Sequence, residues 1–237
     1  MKTVLITGTT GALGSAIAKE LLDEGYRVIG VSRGAVRSNV IALHPNYVHR
    51  IYDLSNLSGI PSLIRETSLE FGNIYGLINN SALGLDSLLA TMHASDIHAL
   101  LTVNLNAPIE LAKHAVRSMI AARVGRIVNI TSVVTQTGYK GLSVYASTKA
   151  GLEGFSKSLA REVGRRNVTV NCVAPGFMPT NMTAGLAETQ MDQIRRRTPI
   201  GRLVTTQEVS NAVVFLLSEK ASGITGITLT VDGGASS

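Results

Sequence analysis

Tyr145 and Lys149 stand four residues apart in a stretch, Ser143–Arg166, that reads as helical. The spacing puts the phenol and the ammonium on one helix face. A phenol is a poor acid at neutrality, with an ordinary pKa near 10. An ammonium ~5 Å away, at an effective dielectric near 20, favours the phenolate by roughly 3 kcal/mol, or about two pKa units. The pair can then serve general acid–base chemistry, commonly worth a factor of roughly 10²–10⁴ in rate. Taken alone, the same spacing also suits an ordinary exposed helical pair. Ser132 lies just past the apolar run Arg126–Thr131, thirteen residues before Tyr145, and the loop between them contains Gly138 and Gly141. A hydroxyl there can donate to a carbonyl oxygen that becomes negative during hydride transfer. Asn104 falls inside the predicted helix Ser95–Ala122. Asn is a mediocre helix former, so it reads either as a polar group holding a water or as a solvent-facing residue.

A second constellation opens the chain. The run Thr3–Thr7 ends in Thr7-Gly8-Thr9-Thr10-Gly11-Ala12-Leu13-Gly14, and a helical stretch, Leu13–Glu24, follows. A glycine turn between a first strand and a first helix lets the backbone approach a pyrophosphate, whose charge meets the free N–H groups of the helix. The alternative is a plain tight turn. After the second strand, a carboxylate would accept from a ribose diol. This chain has Ser32-Arg33-Gly34 instead. An arginine can pair bidentately with a 2′-phosphate, a contact worth roughly 1.5–3 kcal/mol. NADP(H) is therefore expected over NAD(H), the other reading of Arg33 being a guanidinium stacked on adenine. Asp53-Leu54 follows the third strand, where the carboxylate either caps a turn or accepts from the adenine amine.

Positioning these groups needs a scaffold, and the pattern supplies one. Strands are predicted at Thr3–Thr7, Arg27–Ser32, Val48–Tyr52, Tyr75–Asn79, Arg126–Thr131, Val168–Val173 and Ile227–Val231. Helical stretches fall between them at Leu13–Glu24, Ser58–Phe71, Ser95–Ala122, Ser143–Arg166 and Gln207–Ser218. Seven short Val- and Ile-rich strands alternating with helices predict an α/β fold, a doubly wound parallel seven-stranded sheet with helices on both faces. With no repeat and no linker-like shift in composition, residues 1–237 read as a single domain. Gly34–Tyr47 and Gly176–Gly201 break the pattern; the second is long enough to be a substrate lid.

Composition narrows the partners. The 237 residues are 45% hydrophobic and 16% charged, which excludes global disorder. Aromatics are 4% and Trp is absent, so a stacking platform for single strands is not expected. The net charge of +6 suits an acidic partner, a phosphorylated cofactor or nucleic acid without choosing among them. Cys172, the one cysteine, permits no intrachain disulfide, which fits a reducing compartment. No apolar run is long enough to span a membrane, and the N-terminus runs straight into a strand pattern without a signal peptide. A cytoplasmic protein without membrane or nucleic-acid partners is expected.

Together these residues resemble the short-chain dehydrogenase/reductase family over essentially the whole chain. The resemblance rests on Thr7-Gly8…Gly14, Asp53-Leu54, Asn79-Asn80, Asn104, Ser132, Tyr145-x-x-x-Lys149 and Pro175-Gly176…Thr180. It implies a catalytic tetrad of Asn104, Ser132, Tyr145 and Lys149. In that tetrad Tyr145 is the acid and Ser132 orients the carbonyl. Lys149 binds the nicotinamide ribose and lowers the phenol pKa, and Asn104 holds a water that relays protons. Cofactor contacts are expected from Gly8, Thr10, Gly11, Leu13 and Gly14, then from Ser32, Arg33, Asp53 and Leu54. Further contacts are expected from Asn80, Ser81, Tyr145, Lys149, Pro175, Gly176 and Met178, with Thr180 on the nicotinamide carboxamide.

Within the family the chain is most similar to bacterial 3-oxoacyl-acyl-carrier-protein reductases. Stretches such as Tyr145–Val163 and Val170–Met182 and the ending Ile224–Gly234 carry that similarity. It implies NADPH-dependent reduction of a 3-oxoacyl thioester on acyl carrier protein or coenzyme A, and a homotetramer built on Ser95–Ala122 and Ser143–Arg166. Arg123 and Arg166 match the basic residues that dock the carrier beside the active-site mouth. The alternatives are a dehydrogenase of another alcohol or ketone, and a non-catalytic dinucleotide-binding protein. The chain departs from the family pattern at Ala12, where a glycine is usual, and at Ser81-Ala82.

Weaker signals point elsewhere. His93 and His98 are five apart and share no helix face, so no metal is expected. Gly141-Leu142-Ser143 lacks the closing glycine of a nucleophile elbow. Arg195–Arg197 read as a solvated face or as a phosphate contact, and Met178 and Met182 as channel lining or ordinary packing.

Overall fold

The computed structural model describes residues 1–36, 39–179 and 188–237. In chain order it runs β1 (Thr3–Thr7), α1 (Ala12–Asp23), β2 (Arg27–Ser32), α2 (Asn39–Ala42), β3 (Tyr47–Ile51), α3 (Ile60–Phe71) and β4 (Ile74–Asn79). The second half runs α4 (Ala94–Leu101), α5 (Ala107–Ala122), β5 (Gly125–Ile130), α6 (Val134–Thr137), α7 (Ser143–Val163), β6 (Val168–Pro175), α8 (Glu188–Arg197), α9 (Thr206–Leu217) and β7 (Thr228–Val231). The strands form one seven-stranded sheet in the order β3-β2-β1-β4-β5-β6-β7, parallel throughout. This is the expected doubly wound α/β architecture. The order reverses between β1 and β4, which opens a crevice at the carboxyl edge where ligands of such sheets bind.

Alternation along β1 shows how the sheet is held. Val4 and Ile6 face a core shared with Ile17 and Leu21 of α1 and Val213 and Leu216 of α9. Leu5 faces the opposite core, with Leu63 of α3, Leu111 of α5 and Leu159 of α7. Both faces are covered, so the strands can be apolar on both sides. Among the described residues no helix is long and apolar enough to cross a membrane.

Most element ends fall within two residues of the sequence reading, and three differences have a clear physical cause. The predicted helix Ser95–Ala122 is two helices, α4 and α5, joined by a π-helical segment at Thr102–Asn106. Periodicity cannot register one extra residue per turn, and π segments tend to mark functional sites. The last long helix starts one residue early because Thr205 caps it. Its hydroxyl accepts from the Glu208 N–H, and Glu208 reaches back to the Thr205 N–H. Helix α7 stops at Val163, and Gly164–Arg166 tighten into a 3₁₀ turn.

Candidate active site

The carboxyl edge of the sheet carries a cleft of about 540 Å³. The glycine turn, the ends of β2, β4, β5 and β6, and the first turns of α7 line it. Gly8 takes φ +80°, a backbone region that favours glycine. A Cβ on Gly14 would overlap the Gly8 carbonyl oxygen. Gly11 has no such need: its φ is −84°, and an added Cβ would sit 3.4 Å from the nearest atom. The sequence reading treats the three glycines alike, but the fold separates them. Gly14→Ala is expected to cost about 1–3 kcal/mol, because the obstructing atom is backbone and cannot rotate away. Gly11→Ala is expected to stay within about 0.5 kcal/mol, and thermal unfolding of the two variants makes the comparison.

The turn is fastened from below. Thr7 Oγ1 accepts from the backbone N–H groups of Asn80 (3.0 Å) and Ser81 (2.9 Å), and Asn80 Nδ2 donates to the Thr7 carbonyl at 2.8 Å. Ser32 Oγ accepts from the Thr10 N–H at 3.3 Å. Asn80, Ser81 and Ser32 thus line the cleft while bracing the turn. Leu13 is buried beneath it. Arg33 is exposed and lines the cleft with Asp53 and Leu54. Asp53 Oδ1 accepts from the Ser55 N–H at 2.9 Å. That bond, with the Ser55 side chain and the nearby Arg33 charge, holds the carboxyl below its ordinary range. Asp53 therefore caps its turn, one of the two roles open in the sequence. Across the crevice, Gly176 approaches Asp232 so closely that a Cβ would sit 2.8 Å from the Asp232 Cα. Pro175, Gly176 and Met178 all line the cleft. Thr180 and Met182 lie outside the described residues, as does the centre of the expected lid. The rest of the lid includes α8, where Arg195 pairs with Glu188 and Asp192.

The candidate reacting group, Ser132, Tyr145 and Lys149, comes together where β5 meets α7. Tyr145 is buried, and the Ser132 hydroxyl is near enough to favour its ionised form. Lys149 is buried too; its Nζ lies 5.6 Å from the Tyr145 ring centroid and donates to the Ile130 carbonyl at 2.8 Å. The electrostatics differ from the sequence expectation. Burial pushes the Tyr145 phenol up to about 12, and the Ser132 hydrogen bond only partly offsets it. Burial likewise lowers Lys149 to about 8. The expected depression of the phenol by the ammonium is not seen: desolvation is the largest effect on both groups and disfavours the charged form of each.

Asn104 is fully buried in the π segment. Its Oδ1 accepts from the Leu83 N–H at 2.7 Å and its Nδ2 donates to the Leu83 carbonyl at 2.9 Å. The side chain therefore clamps the segment after β4 and is not solvent-facing. Arg123 and Arg166 are exposed, but they precede β5 and β6 and so sit at the amino edge of the sheet. The cleft is at the other edge, ~20 Å away at strand rise. The expectation that they flank the mouth of their own site is corrected by this topology.

Tyr139 and Phe177 were not singled out in the sequence. Both line the cleft, with ring centroids 5.6 Å apart. The signal was available: each aromatic adjoins a segment already assigned to the site, in a chain poor in aromatics.

The comparisons agree with this geometry. A family model described as "Enoyl-(Acyl carrier protein) reductase" matches residues 8–236. The chain is 41% identical over 235 residues to the 3-oxoacyl-[acyl-carrier-protein] reductase of Escherichia coli, covering 98% of this chain and 96% of that one. It is 40% identical over 238 residues to the enzyme of the same name from Pseudomonas aeruginosa, covering 98% and 96%. Among solved structures, a mutant of a Serratia marcescens short-chain dehydrogenase/reductase superposes with a TM-score of 0.90 at 28% identity, covering 100% of this chain and 98% of that one.

Proposed function

The chain belongs to the short-chain dehydrogenase/reductase family and is an oxidoreductase, and from that premise we propose that it is an NADPH-dependent ketoreductase of 3-oxoacyl thioesters. One observation carries the reading: a buried phenol, a serine hydroxyl and a buried lysine line one end of a cleft whose other end is a glycine cradle. The cradle fits a dinucleotide: Gly8 at φ +80° and the close approach of Gly14 to the Gly8 carbonyl make the tight strand-to-helix turn whose backbone lines the cleft and meets a pyrophosphate. The bound nicotinamide would supply the hydride.

The chain's residues do the rest. Ser132 donates to the substrate carbonyl oxygen and stabilises the charge that develops there. Tyr145, protonated throughout the neutral range, gives its proton to that oxygen. Lys149 binds the nicotinamide ribose and resupplies the phenol, a reading supported by its position in the cleft wall beside Tyr145. Both polar side-chain atoms of Asn104 are committed to Leu83, so Asn104 serves the site by holding that cleft-lining residue in place.

Arg33 reads the 2′-phosphate. Arg33→Ala is expected to weaken NADPH use by about tenfold or more while sparing NADH. Steady-state kinetics with both cofactors check this, and equal losses would remove Arg33 from that role.

The relatives are named for acyl-carrier-protein substrates, and a basic surface suits an acidic carrier. Docking at Arg123 and Arg166 would serve the cleft of another copy, which fits a homotetramer. The outward face of α7 supports close helix packing, with small residues at Ser147, Ala150, Gly151, Gly154 and Ser158. Sedimentation as a monomer would exclude that assembly. A cytoplasmic location is part of the same reading. The deciding experiment is a kinetic panel of 3-oxoacyl thioesters, on carrier protein and on coenzyme A, with both cofactors and at rising salt. Turnover of thioesters, with a carrier preference that salt erodes, is expected. Turnover confined to polyols or other ketones would refute the substrate class.

A further inference from the structure

Strand β3 carries Tyr47 and His49, two residues apart and so directed to one face of the sheet. The Tyr47 hydroxyl lies 3.0 Å from Thr9 Oγ1 and 2.9 Å from His49 Nδ1. On the far side of the ring, His49 Nε2 lies 2.9 Å from the Gly34 carbonyl oxygen. A carbonyl only accepts, so Nε2 carries a proton and donates it there. Thr9 Oγ1 is also 3.4 Å from Ser32 Oγ, which accepts from the Thr10 N–H. A line of polar contacts thus joins the glycine turn, through Tyr47 and His49, to the residue that follows Arg33.

Two further observations show that the fold accommodates this line. Thr9 is fully buried and Tyr47 nearly so, and a buried polar group needs its partner. Gly30 of β2 lies beneath the contact: a Cβ there would overlap both the Tyr47 hydroxyl and Thr9 Oγ1. The ladder between β2 and β3 ends at Ser32 opposite Ile51, and the Tyr52 N–H donates once more to the Ser32 carbonyl at 3.0 Å. Beyond that point, the bond from His49 to Gly34 returns the Arg33–Gly34 segment to the sheet.

We infer that His49, seated by Tyr47, is a positioning residue for Arg33 and so sets the preference of this cleft for an adenine nucleotide bearing a ribose 2′-phosphate. The inference rests on the assignment of Arg33 to that phosphate. An exposed arginine on an untethered loop must be ordered on binding, and a tether made beforehand reduces that cost. Neither Tyr47 nor His49 is among the residues lining the cleft, and the bond from His49 ends on the residue next to Arg33, so its loss reaches the phosphate through that segment.

The test is calorimetric titration with adenosine 2′,5′-bisphosphate and adenosine 5′-phosphate, which needs no turnover. His49→Leu is expected to weaken the bisphosphate about three- to tenfold, the loss of one hydrogen bond, and to leave the monophosphate within about twofold. Tyr47→Phe is expected to shift the bisphosphate in the same direction. His49→Gln, which keeps an N–H donor, is expected to recover most of the affinity. An equal loss for both nucleotides, or no loss for either, overturns the inference. Should His49→Leu fail to fold, Tyr47→Phe decides, and the absence of a selective loss there overturns it too. Arg33→Ala separates the two readings. If it weakens the bisphosphate while the β3 variants do not, the phosphate assignment stands and this inference falls. If Arg33→Ala has no effect, the assignment falls and the inference with it.

Discussion

Replacing Tyr145 by phenylalanine is expected to lower kcat for ketone reduction by about 10²–10⁴-fold while leaving cofactor affinity and the melting temperature nearly unchanged. The substitution removes one oxygen and keeps the ring in its packed position against Leu100 and Val134. What disappears is the proton that must reach the substrate oxygen as the hydride arrives. Ser132 remains and still stabilises the charge, so some activity survives. Stopped-flow single turnovers with fluorescence titration of the cofactor separate the two effects. Turnover within a factor of a few of the parent would remove Tyr145 from the chemistry. Because burial holds the phenol at about 12, reduction should show no loss from phenol ionisation through the neutral range. The reverse oxidation needs the phenolate and should rise with pH.

The second large effect concerns Lys149, which the fold buries at an energetic cost. Its ammonium titrates near 8 in the native chain, against an ordinary 10.5. Between those values the unfolded chain binds more protons than the folded one, so stability rises with pH across that window. Below about 8 the lysine is charged in both states and the full penalty applies. Relative to Lys149→Met, the parent should therefore gain about 3 kcal/mol between pH 8 and 10.5, with the difference constant below that range. Urea melts of both proteins over that span measure it. The same substitution should lower kcat by roughly 10²-fold or more, since it removes a preorganised charge from beside the reacting phenol. A stability difference that stays flat from pH 7 to 10.5 would show that the buried amine is not strained by its surroundings.

Much of this site is legible in one dimension. Tyr145 and Lys149 are joined by one helical turn, and Gly8, Gly11 and Gly14 by one strand-to-helix turn. Local geometry alone places such groups together. Apart from the family resemblance, Asn104 shows in the sequence only as a poor helix former in a helix. Its purpose appears when the π segment turns it onto the backbone of Leu83, twenty-one residues back in the chain. The Tyr47–His49 line has no sequence signature, because its members come from the first turn and from β3 and meet only when β3 pairs with β2.

What the order of residues determined unaided is the alternation of strands and helices, the family, and the short-range constellations. Each depends on periodicity or on spacings within a few turns, which backbone geometry converts directly into shared faces. Tertiary packing alone decided the protonation balance. Both the phenol and the ammonium ionise according to how much water surrounds them, and that depends on segments distant in sequence closing over them. It also decided which of two like glycines is indispensable, and which edge of the sheet Arg123 and Arg166 occupy, since these follow from strand direction and from close approaches that no linear pattern encodes.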